Sequence, residues 1–211
     1  MDRRRRGRKA ALPLVAVLLG WLANGPALAC KLAILGDSLT AGFGLVREEA
    51  FPARLEQALR ARGITCAVLD AGVSGDTSAG GAARIDWVLA DRPTHLLVEL
   101  GGNDALRALP PAALEANLDR IVRTAKEHGV QVMLAGMLAP PNLGSDYGKA
   151  FEAVYLELAR RHHVPLYPFF LDGVVLQRDL MQPDGIHPNG RGVDVIVARI
   201  VPMIESFLQG K

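Results

Sequence analysis

Residues 31–39 read KLAILGDSL, and the predicted fold is built around this stretch. Its apolar part, Leu32 to Leu35, has the composition of a buried strand, and Gly36 ends it. Ser38 follows two residues later. Open α/β folds keep their sites at the carboxyl ends of parallel strands, where this serine would lie. The stretch therefore predicts a first parallel strand that carries a candidate nucleophile.

Beyond this strand, short apolar runs alternate with longer amphipathic segments. Strands are predicted at residues 31–36, 65–71, 95–100, 130–136 and 164–167, and helices at 48–63, 76–91, 110–128, 149–163 and 189–208. This alternation favours a parallel sheet covered on both faces. We expect a three-layer α/β/α flavodoxin-like sandwich with five strands in the order 2-1-3-4-5, whose site lies above strands 1 and 3.

The first 29 residues have the composition of a secretory signal peptide. Five arginines and a lysine lie between residues 3 and 9, an apolar run spans residues 10–23, and Ala27-Leu28-Ala29 has the small residues of a cleavage site. The run is shorter than the ~20 residues that a membrane-spanning helix needs. We therefore expect residues 1–29 to be removed, which leaves one domain, residues 30–211, in the periplasm or secreted and without stable membrane insertion.

The charge of this expected mature domain argues against one class of partner. Residues 1–29 hold six of the 24 Lys and Arg residues and one of the 22 Asp and Glu residues, so residues 30–211 hold 18 basic and 21 acidic residues and a net charge of −3. No basic stripe with interleaved aromatic residues remains, so nucleic acid is not an expected partner. No pattern indicates an obligate interface, and we expect a monomer.

Two cysteines, Cys30 and Cys66, allow three interpretations. Each precedes a glycine that ends a predicted strand region, Gly36 or Gly72, by six residues, so neighbouring parallel strands in register would place both cysteines at the same depth. A disulfide would suit an oxidising compartment and stabilise the fold by roughly 4 kcal/mol on the chain-entropy estimate. The alternatives are a lipid anchor on Cys30, which would be the first mature residue, and two free thiols.

Glycine-rich polar loops follow the first three predicted strands. They are Gly36-Asp37-Ser38, residues 72–77 and Gly101-Gly102-Asn103-Asp104. In a parallel sheet these strand ends lie side by side on one edge. None has the G-x-G-x-x-G pattern or the lysine of a phosphate loop, which disfavours nucleotide binding. The G-x-S-x-G elbow of α/β-hydrolases is also absent, because Leu39 and Thr40 follow the serine.

A nucleophilic serine needs a base and a group that orients this base. Asp184 and His187, near the end of the chain, supply both residue types. Ser38 would attack an acyl carbonyl, His187 would take its proton, and Asp184 would hold the imidazole. We expect the three-residue spacing to place Asp184 and His187 on one face of a helical turn. No cluster has the spacing of metal ligands, so neither a metal nor another cofactor is expected.

Four ordered blocks of this sequence resemble those of the SGNH (GDSL) hydrolases. They are Gly36-Asp37-Ser38-Leu39, Gly75, Gly102-Asn103-Asp104 and Asp184-x-x-His187. The resemblance covers residues 31–208 and is greatest to the bacterial periplasmic thioesterase I, lysophospholipase and arylesterase group. It implies an oxyanion hole formed by the backbone N–H groups of Ser38 and Gly75 and by the side-chain amide of Asn103.

Apolar loops around this edge indicate the class of substrate. The residues expected to line an acyl groove are Leu106, Leu109, Pro110, Met137 and Pro140. The resemblance implies hydrolysis of carboxylic esters or thioesters, such as aryl esters, acyl-CoA or lysophospholipids. Broad specificity is expected because one methylene contributes only about 1–3 kcal/mol.

Two alternative functions remain open. One is an O-deacetylase of exported or cell-wall polysaccharide, which would favour aromatic platforms for sugars. The aromatic candidates for such platforms are Tyr147, Phe151, Tyr155 and the stretch 167–170. The other alternative is a binding module without catalysis, which would have no need of Ser38, Asp184 and His187 together.

Overall fold

A computed structural model describes residues 29–210, and a five-stranded sheet lies at its centre. The predicted signal peptide lies outside the described residues apart from Ala29. The strands are β1 (Lys31–Gly36), β2 (Ala67–Gly72), β3 (His95–Glu99), β4 (Gln131–Ala135) and β5 (Leu166–Tyr167). All neighbouring strands are parallel, and their order is β2-β1-β3-β4-β5. The predicted topology is confirmed.

Helices connect the strands and cover both faces of the sheet. They are α1 (Ser38–Ala41), α2 (Phe51–Ala61), α3 (Ser78–Ala90), α4 (Gly102–Leu106), α5 (Pro111–Glu127), α6 (Ser145–His162) and α7 (Gly190–Leu208), with 3-10 turns at Arg47–Glu49, Pro141–Leu143 and Arg178–Leu180. The sequence analysis missed α1 and α4, because helices of one turn are too short to show a hydrophobic period.

The core lies between the sheet and the helices that pack on its two faces. In β1, Leu32 and Ile34 face one side of the sheet and Ala33 and Leu35 the other, and all four are fully buried. Helix α2 packs against α7, and α3 packs against α5. A strand in the centre of a sheet covered on both faces must be apolar throughout, which is why β1 is a continuous hydrophobic run.

The register between β1 and β2 brings the cysteines together. Lys31 pairs with Ala67, so Cys30 and Cys66 stand side by side just before the two strands, with their Cα atoms 4.6 Å apart, and they form a disulfide. A cysteine held in a disulfide has no thiol left for lipid attachment. Among the described residues, no helix is long and apolar enough to cross a membrane.

Candidate active site

Ser38 lies at the carboxyl edge of the sheet as the first residue of α1. Asp37 caps this helix, since its Oδ1 accepts a hydrogen bond of 2.9 Å from the N–H of Leu39. The chain turns tightly after β1 because Gly36 has no Cβ, which would otherwise overlap the Thr40 side chain. The strand, the glycine and the cap together position the serine hydroxyl.

Hydrogen bonds join Ser38 to Asp184 through His187. The Oγ of Ser38 lies 2.9 Å from His187 Nε2, and His187 Nδ1 lies 2.7 Å from Asp184 Oδ2. Because the Asp184 carboxylate only accepts, Nδ1 carries a proton and Nε2 is left to accept from the serine hydroxyl. The fold thus brings together three predicted residues from the two ends of the chain.

Asp184 and His187 lie in a turn, not in the expected helical turn. Asp184 Oδ1 accepts from the N–H of Ile186 at 2.9 Å and from that of His187 at 3.0 Å, and Gly185 has a φ of 69°. The expected helical turn was wrong, because an aspartate that binds the backbone two and three residues ahead stabilises a turn in place of a helix.

These hydrogen bonds also set the charge of the site. The side-chain hydrogen bond with His187 is the largest cause that lowers the pKa of Asp184 to about 2, followed by the two backbone N–H groups. The carboxylate is therefore charged at neutral and mildly acidic pH and stabilises a protonated His187. The ring of Phe43 lies against the imidazole, with the ring centroids 4.6 Å apart.

Two backbone N–H groups of the expected oxyanion hole are available to a ligand. Within residues 29–210, the N–H groups of Ser38 and Gly75 donate to no protein acceptor. Gly75 has a φ of 86°, and the nearest atom to a Cβ there would be Nη2 of Arg107 at 3.9 Å. The space in front of the Gly75 peptide is therefore open to a substrate.

The amide of Asn103 is more fully engaged than the sequence suggested. Its Nδ2 donates to Asp37 Oδ2 at 3.0 Å and to the carbonyl oxygen of Asp76 at 2.9 Å. Since an amide nitrogen carries two hydrogens, an oxyanion bound here must share or displace one of these hydrogen bonds. The bond to Asp37 also connects Asn103 to the residue that precedes the nucleophile.

Helix α4 holds the loop that carries Gly75. Asn103 and Arg107, one helical turn apart, donate to the carbonyl oxygens of the consecutive residues Asp76 and Gly75, each at 2.9 Å. Arg84 of α3 pairs with the carboxylate of Asp76 at 2.7 Å. Sequence reasoning missed both arginines, because nothing in their local sequence shows that they reach this loop.

Buried carboxyl groups lie behind the nucleophile. Glu99, fully buried at the end of β3, accepts from the Thr40 hydroxyl at 2.8 Å, and Asp37 is 2% exposed. Burial is the largest cause that raises the pKa of both residues, and the charge of Asp37 raises the pKa of Glu99 further. Among the described residues, Glu99 Oε1 has no hydrogen-bond partner. The sequence analysis did not single out Glu99.

An apolar groove of about 730 Å³ runs past Ser38 and His187. Of the five residues expected to line it, Leu106, Met137 and Pro140 do so, and other lining side chains include Phe43, Leu138, Leu171 and Leu176. Leu109 and Pro110 are a correction, because they lie outside the lining. The Leu109 carbonyl accepts from the Tyr147 hydroxyl at 2.7 Å as the chain turns away into α5.

Aromatic side chains and metal ligands are scarce at this site. Phe151 and Tyr155, considered above as sugar platforms, are buried in the core, whereas Phe169 lines the groove. Within residues 29–210, no three His, Cys, Asp or Glu side chains form a group that could hold a metal ion. The chemical groups that the described residues place at this site are thus a serine nucleophile, a histidine base and an apolar groove, without a cluster of sugar-binding aromatic rings or of metal ligands.

Comparisons with known proteins identify the family. The model of the GDSL-like lipase/acylhydrolase family matches residues 34–195. Esterase TesA of Pseudomonas aeruginosa is 39% identical over 199 residues, which cover 94% of this chain and 99% of that protein. Thioesterase 1/protease 1/lysophospholipase L1 of Escherichia coli is 42% identical over 179 residues, or 84% of each chain.

A solved structure agrees with these relatives. The psychrotrophic esterase EstA from Pseudoalteromonas, in a structure inhibited by monoethylphosphonate, is 32% identical with a TM-score of 0.81, over 85% of this chain and 98% of that one. Sequence, fold and the order of the site residues lead to one conclusion. This chain belongs to the GDSL-like lipase/acylhydrolase family and is an SGNH-type hydrolase.

Proposed function

We propose that this enzyme is a serine esterase that hydrolyses carboxylic esters and thioesters, such as aryl esters, acyl-CoA thioesters or lysophospholipids. The observation that carries the proposal is the hydrogen-bonded series Ser38–His187–Asp184 beside an apolar groove. Relatives named esterase, arylesterase and thioesterase 1/protease 1/lysophospholipase L1 support this range of substrates.

The first half of the reaction forms an acyl-enzyme. Ser38 Oγ attacks the acyl carbonyl carbon while its proton passes to His187 Nε2. Donors at Ser38, Gly75 and Asn103 stabilise the charge that develops on the carbonyl oxygen. The bond to the leaving oxygen or sulfur then breaks, and His187 gives its proton to the leaving group. The acyl group remains esterified to Ser38.

The second half uses a water molecule in the same way. His187 takes a proton from the water as its oxygen attacks the acyl carbonyl, and the bond to Ser38 Oγ breaks. The serine recovers the proton from His187, and the carboxylic acid leaves the groove. Asp184, charged at working pH, stabilises the imidazolium that forms twice in each cycle.

Replacing Ser38 tests this assignment directly. Ser38→Ala should lower kcat for p-nitrophenyl butyrate by about 10⁶-fold, or to background, because no other hydroxyl forms a hydrogen bond with His187 Nε2 in the described part of the chain. A fluorophosphonate should label the wild type and not this variant. The matched control is Ser145→Ala at the exposed start of α6, which should behave as wild type. More than a few per cent of residual activity in Ser38→Ala would contradict the assignment.

A substrate series separates this function from the alternatives. We expect hydrolysis of p-nitrophenyl esters from acetate to palmitate, of acyl-CoA and of lysophospholipid, because the groove is mostly aliphatic. A polysaccharide deacetylase receives less support, since such an enzyme would prefer acetate and would cleave acetylated xylan. A binding module would show neither turnover nor labelling.

We further propose that the working protein is an exported monomer that begins at Cys30. The support is the composition of residues 1–29 and the disulfide between Cys30 and Cys66, a bond typical of oxidising compartments. Fractionation of expressing cells, followed by intact-mass measurement, should find the enzyme outside the cytoplasm without residues 1–29 and without a lipid.

A further inference from the structure

The N–H of Gly75, an expected oxyanion donor, lies in a tight turn at the tip of the loop between β2 and α3. A hydrogen bond of 3.0 Å from the N–H of Asp76 to the carbonyl oxygen of Val73 closes this turn. Gly75 has a φ of 86°, whereas Ser74 is not among the described residues with a positive φ. A positive φ at the third residue alone is the pattern of a type II turn. The type of this turn therefore sets the direction of the Gly75 N–H.

A type I turn of the same four residues would reverse that direction. The two turn types differ mainly by a rotation of the central peptide through roughly half a turn, and this peptide joins Ser74 to Gly75. Gly75 lines the groove, so the rotation would exchange its N–H for the carbonyl oxygen of Ser74 on the groove side. A carbonyl oxygen there would repel a developing oxyanion, whereas an N–H stabilises it. Catalysis therefore requires that the type II orientation is held.

The residues of the turn do little to hold this orientation by themselves. Val73, Ser74 and Gly75 are all exposed, so no packing of side chains fixes the central peptide. The N–H of Ser74 donates to no acceptor among residues 29–210. Glycine adopts positive and negative φ about equally well, so Gly75 permits both turn types. A group from outside the turn must therefore favour one of them.

Arg107, which follows the last residue of α4, contacts the turn from one side. Its Nη2 donates to the carbonyl oxygen of Gly75 at 2.9 Å and is the nearest atom, at 3.9 Å, to the position that a Cβ on Gly75 would take. In a type II turn that position lies beside the carbonyl oxygen of the preceding residue, which is why the turn favours glycine there. The guanidinium thus lies on the carbonyl side of the Ser74–Gly75 peptide, and the N–H points to the other side.

The charge of Arg107 favours the same orientation. A guanidinium is always protonated, and Arg107 forms no ion pair within residues 29–210. The one carboxylate of the turn, that of Asp76, is bonded to Arg84. A positive charge attracts the carbonyl end of a peptide dipole and repels its N–H end. Gly75 lines the groove and Arg107 does not, so the N–H is directed away from the arginine and toward the groove.

We propose that Arg107 is a positioning residue for the oxyanion hole, which keeps the Gly75 N–H directed at the acyl carbonyl through its hydrogen bond and its charge. The inference rests on the proposed function, because the direction of this N–H matters only if an oxyanion forms beside it. Arg107 lies outside the four blocks that resemble the SGNH hydrolases, so that resemblance gives it no role. Its effect should appear in the transition state, where charge develops on the carbonyl oxygen.

Steady-state kinetics with p-nitrophenyl butyrate test this role. Arg107→Ala should lower kcat by about tenfold, less than the loss of about 10²–10³-fold for a missing donor, because Asn103 still holds the loop at the next carbonyl. KM should stay unchanged, since Arg107 lies outside the groove lining. The matched control is Arg120→Ala on α5, also exposed and without an ion pair in the described part of the chain, which should behave as wild type. Equal losses in both variants, or a change in KM alone, would overturn the proposal.

Chemical rescue separates this role from a merely structural one. Ethylguanidinium supplies the missing group to Arg107→Ala at an exposed position, and it should raise kcat of this variant several-fold at concentrations below those that unfold the protein. N-ethylurea has a similar shape and no charge, so it should restore little. Neither compound should raise kcat of the wild type or of Arg120→Ala. No recovery with ethylguanidinium, or equal recovery with N-ethylurea, would contradict the role of the Arg107 guanidinium.

A double-mutant cycle with Gly75 tests whether Arg107 acts through this donor. Gly75→Ala already displaces the N–H, so adding Arg107→Ala should lower kcat much less in that background than in the wild type. The same fold loss in both backgrounds would show that Arg107 acts independently of Gly75 and would overturn the proposal. Each of these outcomes concerns Arg107 alone and leaves the proposed function standing. Failure of the wild type to hydrolyse any ester would instead refute the proposed function itself.

Discussion

The proposed base His187 depends on one carboxylate. Asp184 accepts from His187 Nδ1, which leaves Nε2 directed at Ser38 Oγ. It also accepts two backbone N–H groups of its own turn, so the same side chain shapes the loop and orients the ring. This double use explains why two residues three apart meet without a helix.

Asp184→Asn should lower kcat by about 10²–10⁴-fold with little change in KM, because an amide NH₂ facing His187 Nδ1 would favour the tautomer with its proton on Nε2. The wild type should keep its Asp184 carboxylate ionised down to about pH 2, since hydrogen bonds lower the pKa of Asp184 to about 2. Steady-state kinetics across pH checks this. Asp179→Asn, which removes an exposed ion pair nearby, is the control and should leave kcat unchanged.

Gly75→Ala should lower kcat by about 10²–10³-fold, the effect of losing one oxyanion donor. The φ of 86° at position 75 strains any residue with a Cβ, so in the alanine variant the peptide that presents the N–H of residue 75 must shift. Gly63→Ala is a matched control, because Gly63 follows α2, has a φ of 76° and has no atom within 4 Å of the position that a Cβ would take. Both variants should lose similar stability in urea unfolding, and an equal loss of kcat in both would refute the role of Gly75.

At the scale of elements, the site depends on how strand ends and short helices meet. Helix α4 grips the β2–α3 loop through Asn103 and Arg107, and β3 meets α1 through Glu99 and Thr40. Neither α1 nor α4 is long enough to be stable alone. Their positions therefore depend on these hydrogen bonds with neighbouring elements.

Glu99→Gln should make the free energy of unfolding less sensitive to rising pH. Burial raises the pKa of Glu99 well above its ordinary 4.5, so the folded state holds a proton that the unfolded state releases. Stability from this group is complete below the unfolded pKa and is lost as pH rises through the folded pKa, by about 1.4 kcal/mol for each pH unit that separates them. A glutamine at position 99 does not titrate, so its contribution to the free energy of unfolding does not fall as the pH rises.

Urea unfolding at about pH 5 and about pH 8 measures this effect. The stability of Glu99→Gln relative to wild type should increase between the two pH values. Glu56→Gln, which removes a carboxylate from an exposed ion pair on α2, is the control and should follow the wild type. A constant difference between Glu99→Gln and wild type would contradict the raised pKa of Glu99.

At the scale of the whole molecule, the disulfide and the site lie at opposite ends of the same two strands. Cys30 and Cys66 join the chain just before β1 and β2, whereas Ser38 and Gly75 follow the same two strands. The register that aligns the cysteines also aligns Gly36 with Gly72, the strand ends that precede the site. One pairing of strands therefore positions both features.

Cys30→Ser/Cys66→Ser should lower the free energy of unfolding by roughly 4 kcal/mol, because a disulfide that spans 36 residues restricts the unfolded chain. The kcat of the folded variant should be unchanged, since the bond is remote from Ser38. Urea unfolding of the variant and of wild type with and without reductant checks the stability. Equal stability of oxidised and reduced wild type would contradict the pairing.

Long elements were predictable and short ones were not. The helices α2, α3, α5, α6 and α7 begin and end within four residues of the predicted bounds. Predicted strand 164–167 contracts to Leu166–Tyr167, which Pro165 and Pro168 bracket, because proline has no N–H to continue a ladder. Hydrophobic periodicity reports elements of several turns and is silent for a single turn or a two-residue strand.

Local sequence patterns were enough to predict the parallel sheet, its strand order and the residue types of the site. Apolar runs, helical periods and glycines after strands are such patterns, and the residue types of Ser38, Asp184 and His187 predicted a nucleophile, a base and an orienting acid. The roles of Gly75 and Asn103 followed from the resemblance to the SGNH hydrolases. Which groups meet depended on the three-dimensional packing: the turn at Asp184, both hydrogen bonds of Asn103, the reach of Arg107 to Gly75, and the position of Leu109 and Pro110 outside the groove lining. Most of these contacts join residues that are distant in the chain, and they depend on how loops pack together in space.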